Sequence, residues 1–71
     1  MTRDAAHRKA LRVFGKRAFS SVQNEGYEYP PPVYSVGTSY VRDGGVHLVV
    51  KGEGGSWASA FKAAAHALNG K

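Results

Sequence analysis

Residues 52–68 read GEGGSWASAFKAAAHAL, and the pattern in this stretch decides the fold. Trp57, Ala60, Phe61, Ala64, Ala65 and Leu68 recur at i, i+3, i+4, i+7, i+8 and i+11. That is one apolar stripe at helical period. Ser56 stands just before it, where a hydroxyl accepts an orphan N–H of the first turn. Gly70 stands just after it, where a helix end favours positive φ. The other face carries Ala58, Ser59, Lys62, Ala63 and His66. Gly52, Gly54 and Gly55 read as a tight loop leading into the helix.

The stripe needs a surface to cover, and residues 33–52 read as a β-hairpin. Asp43-Gly44 is a favoured pair for a two-residue turn with positive φ. Centring the turn there sets Val41 against Val46, Tyr40 against His47, Ser39 against Leu48 and Val36 against Lys51. The expected buried face is Val41, Val46, Leu48 and Val50, with Gly37 and Ser39 leaving room for the helix. Tyr34, Val36, Thr38, Tyr40, His47, Val49 and Lys51 then form the outer face. A one-residue slip would exchange the two faces. The expected core cluster is Trp57, Phe61, Leu68, Leu48, Val50 and Phe14.

Upstream, Asp4 is a candidate cap for a helix that starts at Ala5. Leu11, Phe14 and Ala18 lie along one side of it, with Ala10 nearby. Arg8, Arg12 and Lys16 repeat at i, i+4 and i+8, an order that lines up one basic stripe. Gly15 weakens the last turn of such a helix. Phe19–Gln23 reads as a short strand, followed by an Asn24-Glu25-Gly26 turn. Tyr27 and Tyr29 alternate with Glu28 before Pro30-Pro31-Pro32, a run that reads as a stiff connector. The expected architecture is α+β: one domain over residues 1–71, with an N-terminal helix, a small antiparallel sheet of two to three strands and a C-terminal helix packed on one sheet face.

The net charge of +5 is placed unevenly. Residues 1–20 hold six basic side chains against Asp4 alone and so carry all of it; residues 21–71 hold four of each sign. A basic segment on a neutral body suits an acidic partner. The arginine-rich, acid-poor start followed by Phe19-Ser20-Ser21 also has features of a mitochondrial transit peptide. The expectation is that this segment stays, because Leu11 and Phe14 are placed to serve the core. With no cysteine, disulfides and thiolate metal sites are excluded, which fits a reducing intracellular, cytoplasmic setting. His7, His47 and His66 lack ligand spacing, so no metal or cofactor is expected. No apolar run approaches the ~20 residues of a membrane span.

Catalysis is not expected. No carboxylate pair has a motif around it, and Asp43 belongs to the turn. The serines lack a nucleophile-elbow setting. Gly52–Gly55 precede a helix as phosphate loops do, but Ser56-Trp57 does not supply the Lys-Ser/Thr pair of the Walker pattern.

Gly52, Gly54, Ser56, Ala60, Ala63, Ala64, Ala67 and Leu68 resemble the C-terminal third of the double-stranded-RNA-binding domain, which ends with a Gly-x-Gly-x-Ser loop and an alanine-rich helix. The resemblance covers about a quarter of the chain. It implies helix, sheet and helix in that order, and RNA as partner. In that family lysines at the start of the final helix hold phosphates; here Trp57, Ala58 and Phe61 stand in those places, and only Ser56 and Lys62 are polar nearby. A second similarity is to the three-stranded DNA-binding domains of phage-type integrases, whose exposed sheet face enters the major groove. Tyr34, Thr38, Tyr40, His47 and Lys51 would be that face, on a half of the chain that carries no net charge.

The expected function is a small basic nucleic-acid-binding accessory protein that contacts phosphates of duplex or structured RNA, or of DNA. Its contact residues would be Arg8, Lys9, Arg12, Lys16 and Arg17, with Tyr34, Tyr40, His47 and Lys51 as a second surface. The alternative is a small regulator or inhibitor that docks on an acidic protein, similar in its short, cysteine-free form to phage anti-defence proteins such as anti-CRISPRs.

Overall fold

A computed structural model describes residues 1–69, with side chains through residue 67. Helix α1 spans Arg3–Phe14, strands β1, β2 and β3 span Ala18–Gln23, Val33–Arg42 and Gly45–Gly54, and helix α2 spans Trp57–Asn69. The strands form one antiparallel sheet in the order β1-β2-β3. The expected α+β order holds, and Phe19–Gln23 lies within β1, which makes the sheet three-stranded. Tyr27–Tyr29 is not a strand. The expected helix stop at Gly70 and the side chain of Leu68 lie outside the described residues.

Local chemistry explains the element ends. Thr2, not Asp4, caps α1: its Oγ1 accepts from the Ala5 N–H at 3.1 Å, and Asp4 falls in the first turn beside the positive end of the helix. Gly15 ends the helix at φ 85°, and its N–H donates to the Leu11 carbonyl. Asp43 and Gly44 have φ of 54° and 77°, the paired positive values of a type I′ turn. Ser56 Oγ accepts from the Ser59 N–H at 3.1 Å and caps α2.

The hairpin pairs as expected from Arg42↔Gly45 through Gly37↔Val50, and then the register shifts. Val36 pairs with Gly52, not Lys51, so Lys51 is the extra residue of a β-bulge. Residues paired across strands share a face. Val50 therefore lies on the face of Gly37, and Gly52 on the opposite face with Val36.

Both helices pack on the Val36 face. The core is Ala6, Ala10, Ala18, Val36, Trp57, Ala60, Phe61 and Ala64, with Phe14, Val22 and Tyr34 packed against it. Gly52 and Gly54 are strand residues of this face rather than a loop. A Cβ at Gly52 would collide with the Ala60 carbonyl and the Ala64 backbone, and one at Gly54 would come within 2.6 Å of Ser59 Cβ. The missing side chains let α2 lie almost on the backbone of β3.

The expected face assignment is thus inverted. Val41, Val46, Leu48 and Val50 are 73%, 70%, 56% and 51% exposed on the open side of the sheet. Tyr34, Val36 and Thr38, expected outside, face the helices. Of the expected cluster, Trp57 and Phe61 are in the core and Phe14 packs against it; Leu48 and Val50 are not part of it. Leu11 is also exposed, and the buried residues of α1 are Ala6 and Ala10. Small residues there bring the helix close to the sheet.

Candidate nucleic-acid interface

Arg8 and Arg12 are exposed on α1, one turn apart. Lys16 and Arg17 are exposed too, but they lie beyond the end of α1, in the turn to β1. The expected helical stripe therefore breaks at Gly15. Arg17 is nonetheless held in place: its carbonyl accepts from the Ser39 N–H at 2.7 Å and from Ser39 Oγ at 3.1 Å. These bonds anchor the turn to β2 just beyond the last β1 pair, Ala18↔Thr38.

That anchoring brings the turn to the root of the projecting hairpin. Lys16, Arg17, Ser39, Tyr40 and Val41 line a shallow cleft of about 260 Å³. Tyr40 stacks on His47, its cross-strand partner, with ring centroids 5.2 Å apart and planes 19° from parallel. An aromatic platform thus stands beside two cations. Sequence reasoning named both sets of residues but held them apart, as a helix stripe and a sheet face. The signal that joins them is the short Gly15-Lys16-Arg17 connection, which ties the helix end to the strand that β1 pairs with.

Other basic residues are already occupied. Arg3 donates to both carboxylate oxygens of Glu25 at 3.1 Å, pinning α1 to the β1–β2 turn. Arg42 lies 3.9 Å from its neighbour Asp43. Lys9 is half-buried, its ammonium 4.8 Å above the Phe61 ring, a cation–π contact. It holds α1 against α2 and is less free to bind than expected. Among the described residues no ion pair engages Arg8, Arg12, Lys16, Arg17 or Lys62.

The second surface divides. Tyr34 is not available: its ring meets Trp57 edge-on at 4.9 Å in the wall of the core. Tyr40 and His47 are accessible at the hairpin. Lys51 is half-buried in the bulge. The start of α2 offers no phosphate clamp, since Trp57 and Phe61 are buried and Ala58 is apolar.

No helix among the described residues is long and apolar enough to cross a membrane. Among those residues no three His, Asp or Glu side chains gather as a metal site would require. Comparison with family models, curated proteins and solved structures returned no match to this chain.

Proposed function

We propose that this chain is a small nucleic-acid-binding protein whose contact surface runs from Arg8 and Arg12 of α1 through Lys16 and Arg17 to the Tyr40–His47 stack. The observation that carries this reading is one cleft that joins Lys16 and Arg17, without an ion pair among the described residues, to Tyr40, which stacks on His47. Cations neutralise phosphates without reading sequence. An exposed aromatic beside them offers a platform for an unpaired base, the combination found in single-strand binders. The order α-β-β-β-α, with both helices on one sheet face, supports the fold half of the resemblance to the double-stranded-RNA-binding domain. In this reading the chain is a relative in which the contact surface has moved from the start of α2 to the far end of α1.

The test is a titration of labelled single-stranded RNA, duplex RNA and duplex DNA at about 50 and about 200 mM salt. Binding should weaken with salt. Changing Arg12, Lys16 and Arg17 to alanine should weaken it on every ligand and flatten the salt dependence. On duplex DNA the log–log slope should fall by about 0.9 for each phosphate the variant no longer neutralises. Tyr40→Ala should cost more on single strands than on duplexes. Lys62→Ala should change little. The regulator reading uses the same cations on an acidic protein, and it takes over if the wild-type chain binds none of the three at the higher salt.

A further inference from the structure

The open face of the sheet is the largest feature the proposed function leaves unused. Its paired residues include Val41, Val46, Leu48 and Val50, all more than half exposed, and Phe19, whose ring lies over Gly37. Glu53, at the end away from the turn, is the charged residue among the paired positions of this face. The four aliphatic side chains expose apolar surface on the order of 400 Å². A patch of several hundred Å² on so small a protein marks a docking surface.

We propose that this face docks on the same face of a second copy, giving a two-fold dimer of two sheets packed face to face with the helices outside. Three observations select that occupant. The first is charge. The patch lacks a basic residue among its paired positions, so it does not suit phosphates. Arg8 and Arg12 lie on α1, across the sheet, while Lys16 and Arg17 reach only the margin of this face, beside Val41. Stacked sheets sit about 10 Å apart. With α1 on the outer side of each, the basic helices of the two copies are on the order of 30 Å apart, several Debye lengths at physiological salt. Two copies that each carry +5 can therefore meet on this face with the charges of their helices screened from one another.

The second is area. Two ten-residue strands and the six-residue β1, at about 4.8 Å spacing and about 3.3 Å rise per residue, cover on the order of 400 Å². Two copies bury roughly 800 Å² in all, the size of a weak, transient contact. That predicts a reversible, concentration-dependent dimer rather than an obligate one. The third is shape. The patch is a flat array of Val and Leu on a twisted antiparallel sheet, the surface that packs on its like in a β-sandwich. A two-fold contact uses one patch on both sides and closes at two. The dimer presents two cationic clefts at the margins of the packed sheets, so it would engage a long polyanion at two points.

The test is sedimentation of the 71-residue chain without nucleic acid, from about 10 µM to about 1 mM, the range a small interface spans. Its outcome is independent of the proposed function. The wild-type chain should pass from monomer to dimer and stop there. Val41→Asp and Leu48→Asp should each raise the dissociation constant at least tenfold without changing the circular-dichroism spectrum. Val41 lies on the central strand, so it also separates face packing from pairing of two β3 edges, which would not touch it. A wild-type chain that stays monomeric throughout overturns the proposal. So does open-ended association, or a Val41→Asp chain that dimerises as the wild type does.

Discussion

Replacing Gly52 by alanine is the sharpest test of how α2 sits on the sheet. The added methyl would lie 2.9 Å from Ala64 Cα and closer still to the Ala60 carbonyl oxygen and the Ala64 nitrogen. All three are backbone atoms of a regular helix, so no side chain can rotate away. Relief requires α2 to move outward, and Ala60, Phe61 and Ala64 move with it from Val36. Overpacking of a tight core costs about 1–3 kcal/mol, and a rigid obstacle puts this site at about 3 kcal/mol or more. A chain of this size has a total stability of about 4–10 kcal/mol. The melting temperature should fall by about 12–24 °C. Gly55→Ala is the internal control: a Cβ there meets nothing within 4 Å and φ is not positive, so its effect should stay within about 0.5 kcal/mol. Urea unfolding followed by circular dichroism measures both. A Gly52→Ala chain within about 1 kcal/mol of wild type would show that α2 does not lie against β3 as described.

Phe61→Ala removes a buried ring and the platform under Lys9, and should destabilise by about 3–5 kcal/mol, read in the same urea experiment. Gly44→Val forces a branched residue to φ 77° and should cost at least ~1–2 kcal/mol, seen as a lower melting temperature. Leu48→Thr, on the open face, should change monomer stability by less than about 0.5 kcal/mol when measured at low concentration, whereas a core leucine would cost several times more.

The C-terminal helix was legible because its signals agree: a helical stripe, a serine cap and a preceding strand end. The turn at Asp43-Gly44 was legible for the same reason, and it fixed the pairing of the hairpin's outer part residue for residue. What it could not fix was the face. Val46, Leu48, Val50 and Gly52 alternate without interruption in the chain, so simple period-two reading puts all four together. The bulge at Lys51 changes that parity, sending Gly52 to the helix and leaving the three aliphatics outside. A bulge has no local sequence signal of its own. Its mark is long-range, in the need of α2 for two glycines under Ala60 and Ser59. The alternation of Val41, Val46, Leu48 and Val50 was also misleading for a physical reason: an apolar face made for a partner has the same pattern as one made for a core.

The candidate site was legible in its composition and not in its arrangement. Charge counting picked out Arg8, Arg12, Lys16 and Arg17, but helical periodicity extended through Gly15 placed Lys16 on α1. The positive φ of Gly15 turns the chain there, and Ser39 then captures the Arg17 carbonyl through two bonds. That capture sets the cations beside Tyr40. It also gives the sheet two unlike sides: alanines, Trp57 and Phe61 press the helices onto one, and the basic turn lies at its margin. The other side keeps its valines and Leu48 in water. Burying that side against its own copy would add apolar contact that a core built largely from alanine lacks. Dimer formation should therefore raise the melting temperature as protein concentration rises. A Val41→Asp chain should lose this concentration dependence and keep the low-concentration melting temperature of the wild type.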